Sequence, residues 1–275
     1  MLPNSDNRKR AFADVVTIDA WHDDFDDDRC RVDLHADVVF GTARVGGEAE
    51  SPVRFRLSVK HAEVVVVIPD TEPVSVDRKS VSRDSPELEA HLTAIVEESS
   101  QLHGKGTVSA SASSVALAAS AAIEGGAQAS RSASKKIEVS GAIQLMLVRQ
   151  SKTAEGYYRW SIEPRAIKAL EGRPWDAVKQ PRLTLVDRRK DRSKGIPPSV
   201  RVEVRCRRED LSIDDLEIKD EGIWEAVKRR AGFRNRMAAA ISYIRDHLSA
   251  EGLEVRNIED AFGHVTLASV TAESF

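Results

Sequence analysis

Hydrophobic and polar residues alternate along much of the chain. From Arg31 to Phe40, Val32, Leu34, Ala36, Val38 and Phe40 take one set of alternate positions; Arg31, Asp33, His35 and Asp37 take the other. Successive side chains of a strand point to opposite faces, so the pattern predicts a half-buried antiparallel strand. Val53, Phe55, Leu57 and Val59 alternate with Arg54 and Arg56, and Val200, Val202, Val204 and Cys206 with Arg201, Glu203 and Arg205. Ala62 to Ile68 is an unbroken Val-rich run, the pattern of a strand covered on both faces. Shorter strands are expected over 12–18, 73–76, 157–162, 182–186 and 265–270, and a longer one from Lys136.

Two regions carry the helical period instead. Ser85 and Pro86 suit a helix start, and Leu88, Leu92, Ile95, Val96 and Leu102 share a face, which predicts a helix over 86–102. Near the C-terminus, helices are expected over 222–230 and 233–250, joined at Ala231-Gly232 and ended by Gly252. In the second, Phe233, Met237, Ile241, Ile244 and Leu248 share a face.

The strands are not each followed by a helix, which argues against a doubly wound parallel sheet. The expected class is α+β: an antiparallel β-sandwich or strongly bent sheet with one internal helix, an Ala/Ser-rich insert and a C-terminal helix pair. The expected organisation is a flexible lead-in over 1–11 and a β-rich domain over 12–220 that holds the helix at 86–102 and the insert at 107–135. A C-terminal helical segment over 221–275 would pack on the sheet.

The insert is the most distinctive part of the chain. Eighteen of the 26 residues from 109 to 134 are Ala or Ser. Alanine's helix propensity favours a small-faced helix over 113–123, ended by Gly125-Gly126. The shortage of apolar bulk favours a flexible insert. The third reading is an amphipathic β-hairpin over 108–140 that turns at Glu124-Gly125-Gly126. Ser109, Ser111 and Ser113 alternate with Ala110 and Ala112, as in a strand with one face to lipid and the other to a water-filled lumen.

Composition narrows the classes. The 275 residues hold 41 Lys+Arg against 44 Asp+Glu, and the net charge of −3 argues against bulk attraction to nucleic acid. That near-neutrality is a cancellation of separate acidic and basic blocks, such as 22–28 against 228–236. Two cysteines without metal or redox spacing predict free thiols. No apolar run reaches the length of a transmembrane helix, and the first ten residues lack the apolar core of a secretory signal. A cytoplasmic protein is the resulting expectation.

Local chemistry is sparse. Asp33, His35 and Asp37 lie at i, i+2 and i+4 on one strand face, a spacing that brings imidazole and carboxylates toward one divalent metal ion. The run His22, Asp23, Asp24, Asp26, Asp27 and Asp28 offers hard oxygen ligands but lacks an EF-hand's spacing. Glu217 and Lys219 form an E-x-K pattern of the kind used with Mg²⁺ in nucleases. Lys228, Arg229, Arg230, Arg234 and Arg236 make a basic patch suited to phosphates. No nucleophile elbow, phosphate loop or dinucleotide fingerprint is present, and no cofactor is expected beyond a divalent metal.

The functional expectation is therefore a non-enzymatic interaction or assembly protein, a subunit of an intracellular complex with a protein partner or a second copy of itself. The first alternative is a membrane-permeabilising, pore-forming protein that deploys 108–140 as a hairpin. The second is a metal-dependent hydrolase or nuclease.

Overall fold

A computed structural model describes residues 8–26, 28–47, 51, 53–83, 89–96, 135–142, 146–165, 167–191, 196–218 and 229–274. Those residues form mainly antiparallel strands with one α-helix, and the chain divides into two compact units, Met1–Pro86 with Leu145–Phe275, and Glu87–Gln144.

The first unit holds three sheets. A seven-stranded sheet runs β1 (Arg8–Arg10), β16 (His264–Thr271), β13 (Arg201–Arg207), β6 (Ala62–Val67), β11 (Tyr158–Pro164) and β10 (Met146–Lys152), with β15 (Val255–Arg256) also paired to β16. A five-stranded sheet runs β17 (Glu273–Ser274), β2 (Val16–His22), β3 (Arg31–Phe40), β12 (Leu183–Asp187) and β7 (Val74–Asp77). The third is β14 (Leu211–Ile218), β5 (Val53–Val59) and β4 (Ala43–Gly46). Every pairing is antiparallel except the short β17–β2 contact.

The alternation seen in the sequence becomes the core. Val32, Leu34, Ala36, Val38 and Phe40 of β3 are buried, and they join Ile18 and Ala20 of β2, Val64 and Val66 of β6, and Val202 and Val204 of β13 in one cluster. Each such Val or Leu contributes about 1.5–3 kcal/mol relative to exposure. In β6, Val64, Val65, Val66 and Val67 are all buried, as the unbroken run predicts.

Several expectations need correction. Residues Glu89–Val96, expected within a helix, form strand β8 (Glu89–Val96), paired antiparallel with β9 (Lys135–Ala142). Leu92, Ile95 and Val96 fit a helical period, but Ala90, Leu92, Ala94 and Val96 fit a period of two as well, and Thr93, Ile95 and Val96 are β-branched. A partner strand decides such a tie.

The expected helix pair is also different. Helix α1 (Arg229–Ala250) continues unbroken through Ala231-Gly232. An interior glycine costs a helix only about 1 kcal/mol relative to alanine. Residues 222–228 lie outside the described residues. Helix α1 packs on β5 and β14, where Ile244 and Leu248 are buried and Tyr243 meets the Phe55 ring edge-on at 5.9 Å. Gly252 ends it at φ +67°, a conformation that favours glycine.

The C-terminal segment is not only helical: β16 lies beside β13 inside the largest sheet, and Val265–Val270 are buried throughout. Within the expected lead-in, Arg8–Arg10 pair with β16 as β1. Gly263, just before β16, packs so closely that an added Cβ would collide with the carbonyl oxygens of Asn257 and Arg256. Gly263→Ala should therefore destabilise the protein by about 2 kcal/mol, read as a lower urea midpoint.

Candidate functional site

The residues singled out for metal chemistry are each engaged elsewhere. Asp33 accepts a hydrogen bond from Thr184 Oγ1 at 2.6 Å. His35 donates from Nδ1 to the Ala177 carbonyl at 2.7 Å, and its ring stacks on Trp21 at 5.4 Å. Asp37 is gripped by Arg173 through Nε at 2.8 Å and Nη2 at 3.2 Å, which holds the guanidinium pKa above its ordinary value. The three side chains thus share a strand face but take separate partners from the 173–184 region. No group of three or more His, Cys, Asp or Glu is arranged to hold a metal ion among the described residues.

The acidic run forms a turn closed by its own hydrogen bonds. Asp26 Oδ1 accepts from the backbone N–H groups of Asp28 and Arg29, Arg29 pairs with Asp23 at 3.0 Å, and the buried His22 bonds the Asp23 carbonyl at 2.7 Å. Asp27 lies outside the described residues. Glu217 sits opposite Arg54 across the β14–β5 ladder, while Lys219 lies outside the described residues. Of the basic patch, Lys228 is likewise outside. Arg229, Arg230, Arg234 and Arg236 lie along α1 rather than at a junction of two helices.

A polar cleft of about 300 Å³ opens on the face of β6, β11 and β13. Its carboxylates are all paired: Glu63 with Arg159 at 2.7 Å, Glu163 with Arg149 at 3.4 Å, Glu209 with Arg207 at 3.4 Å, and Asp210 with His61 at 2.9 Å. Most of these partners are half exposed or more, so they lend the surface little stability. The thiol of buried Cys206, at the cleft's floor, is pushed up in pKa by loss of solvent, which makes it a poor nucleophile.

A second feature went unnoticed in the sequence because its members lie far apart. Trp160 Nε1 donates to the Ser82 carbonyl at 2.8 Å, and the Ser82 N–H donates to the Arg182 carbonyl at 2.9 Å. Thr184 N–H donates to Ser80 Oγ at 2.6 Å. Residues 80–82, which lead toward β8, are thereby tied to β11 and to the entry of β12. Beneath them the fully buried Arg182 guanidinium lies 4.3 Å from the Trp175 ring. Its Nη1 has no hydrogen-bond partner among the described residues.

Burial lowers the Arg182 pKa to about 10. Relative to an unfolded guanidinium, that corresponds to about 3 kcal/mol at neutral pH, offset in part by about 2 kcal/mol of cation–π attraction. Arg182→Met, similar in length and uncharged, should raise stability by about 1–2 kcal/mol in urea unfolding at pH 7. The sign of the pH dependence follows from the lowered pKa. Between about pH 10 and the higher value of an unfolded guanidinium the native state sheds its proton first, so the wild type gains stability with rising pH there and the gap to the variant narrows.

The remaining candidate is the β8–β9 ladder, in the unit Glu87–Gln144. Its register pairs Glu89 with Ala142, Leu92 with Val139, and Val96 with Lys135. Residues paired across an antiparallel ladder share a face, so Ala90, Leu92 and Ala94 fall on one face with Gly141, Val139 and Ile137. Glu89, His91 and Thr93 fall on the other with Ala142, Ser140 and Glu138. The first face is apolar apart from Lys135, the partner of Val96, and the second is mainly polar but includes Ile95, opposite Lys136. The expected helix over 113–123 and the expected turn at 124–126 lie outside the described residues. The outer end of the expected hairpin is corrected, however: Ser140 pairs with His91, not with a residue of 108–123.

No family model matches the chain, and no characterised protein aligns with it significantly.

Proposed function

We propose that the protein permeabilises membranes, by self-association and insertion of a β-hairpin that continues from the β8–β9 ladder. The observation that carries this reading is that ladder: an amphipathic antiparallel pair, in its own unit, bracketing the Ala/Ser-rich residues 97–134. Only helices and closed barrels satisfy every backbone group in lipid, and barrels are assembled from antiparallel strands with alternating faces. No helix among the described residues is long and apolar enough to cross a membrane, so strands are the element to test.

Two strands close no barrel. With about eight strands as the practical minimum, at least about four copies would contribute hairpins. The assembly reading is therefore part of this proposal, with a second copy of the chain as the protein partner. In it the three sheets act as a sandwich-like body that stays in water. Short Ala, Ser and Gly side chains suit a segment that must stay in water before it meets lipid, because they expose little apolar area. A metal-dependent hydrolase or nuclease draws no support from Asp33, His35 and Asp37, which take three separate partners in Thr184, the Ala177 carbonyl and Arg173.

The test is release of an entrapped dye from vesicles of phosphatidylcholine and phosphatidylglycerol. The intact chain should release it, and a chain with 109–134 replaced by a Gly/Ser linker of equal length should not. No release by either protein, or equal release by both, overturns the reading.

A further inference from the structure

Beside the stripe of α1 that packs on β5 and β14, a second stripe of the same helix lines a cavity. Met237, Ala238 and Ile241 form its apolar floor, and its volume is about 350 Å³. Positions one, three and four apart along a helix lie on one side of it, so these three side chains make a continuous apolar surface.

The rim of the cavity is charged. Arg245 donates to Glu259 at 2.9 Å, so those two charges compensate each other. Arg208 has no such counter-charge. Its backbone N–H donates to the Gly263 carbonyl at 2.9 Å, which fixes its root, while its half-buried guanidinium has no carboxylate partner among the described residues. A neighbouring cavity of about 320 Å³ shares Arg208, Met237 and Ile241 and adds Leu211, Ile213 and Lys60 to the lining. The acidic groups there are engaged: Glu209 pairs with Arg207 at 3.4 Å, and Asp214 accepts from Ser212 Oγ at 3.0 Å.

We propose that this groove binds a single-chain amphiphile with an anionic head, a medium-chain carboxylate. Its chain lies on Met237, Ala238 and Ile241, and its carboxylate meets the Arg208 guanidinium. The inference goes beyond the permeabilising reading and does not depend on it.

Charge sets the head. A guanidinium without a counter-charge repels a cation, and a neutral chain gives it no partner. A carboxylate presents two oxygens to its planar fork and accepts two parallel hydrogen bonds. Volume sets the chain. Ligand pockets run from about 300 to 1,000 Å³, so this one is at the small end. At roughly 30 Å³ per methylene, close to the share of liquid volume that one water takes, it holds about ten carbons. That is one chain, not the two of a phospholipid.

The test is isothermal titration calorimetry of the full-length chain with decanoate. Each methylene removed should weaken binding about fourfold, so octanoate should bind about fifteen-fold less tightly. Decyltrimethylammonium, with the same chain and the opposite charge, should not bind. Arg208→Gln should weaken decanoate binding at least tenfold, and Arg208→Lys should restore part of it. Ala238→Phe, at an exposed position, should fill the cavity and abolish binding. Circular dichroism and the urea midpoint should match the wild type in all three variants; should one fail to fold, the ligand series on the wild type still decides. No binding at millimolar decanoate, equal binding of decanoate and decyltrimethylammonium, or decanoate affinity unchanged by Ala238→Phe overturns the proposal. So does concentration-dependent self-association that Ala238→Phe abolishes, which would make a second copy the occupant. Dye release is a separate measurement: its failure would remove the permeabilising reading and leave this site standing.

Discussion

Replacing residues 109–134 by a Gly/Ser linker of equal length should cut dye release at least tenfold, to the level of vesicles without protein, and leave the unfolding midpoint of the three-sheet unit unchanged. The two effects separate because that unit comprises 1–86 and 145–275, and its buried core draws on β2, β3, β5, β6, β12, β13, β16 and α1. Its stability rests on Val, Leu, Ile and Trp side chains outside the replaced segment. A Gly/Ser chain keeps the reach of the segment but deletes its apolar face, so insertion loses its driving force while folding does not. A second variant decides whether alternation or mere composition matters. Exchanging Ser and Ala at positions 109–113 leaves the segment rich in small residues but moves hydroxyls onto the face proposed for lipid. Release should drop with that variant too; wild-type release from it would show that face pattern is irrelevant.

Asp187→Ala should lower stability by about 3–5 kcal/mol, measured by urea unfolding with intrinsic Trp fluorescence. The Asp187 carboxylate has no solvent exposure and accepts from the Arg189 N–H at 2.8 Å and from its guanidinium at 2.9 and 2.7 Å. Arg189 is itself only 12% exposed. Removing the carboxylate leaves a guanidinium with little water to solvate it, and that residual charge, more than the lost attraction, sets the cost. The double variant Asp187→Ala with Arg189→Ala should recover part of the loss. A cost below about 1 kcal/mol for the single variant would show that Arg189 swings out to water without penalty.

Much of the body was legible because burial on one face imposes a period of two. The strands around Leu34, Leu57, Val64 and Val204 could each be read from a window of seven to ten residues, with bounds close to those observed. β14 escaped notice for a local reason. Its register shifts between Asp214 and Glu217, and Asp215 adopts φ +50°, so the alternation falls out of phase halfway along. β8 was misassigned because eight residues with Leu92, Ile95 and Val96 satisfy two periods at once, and only the pairing with β9 separates them.

The candidate sites show the same division. The triplet Asp33, His35 and Asp37 was visible as a pattern, but its partners Thr184, Ala177 and Arg173 come from a distant stretch of chain. The Trp160–Ser82–Arg182 connection had no local signal at all.

By itself, the sequence determined which residues turn inward along each regular strand, since the sign of hydrophobic transfer depends on side-chain chemistry and the strand's own geometry. It also determined that residues 109–134 are rich in Ala and Ser, with small apolar and hydroxyl groups alternating over 109–113. Tertiary structure alone decided which strands pair, which polar groups neutralise one another, and which residue of β8 faces which residue of β9. Those outcomes depend on contacts between residues far apart in the chain. One step of register exchanges every side chain between faces, and the step taken by β8 against β9 was fixed only by the pairing that sets Val96 opposite Lys135.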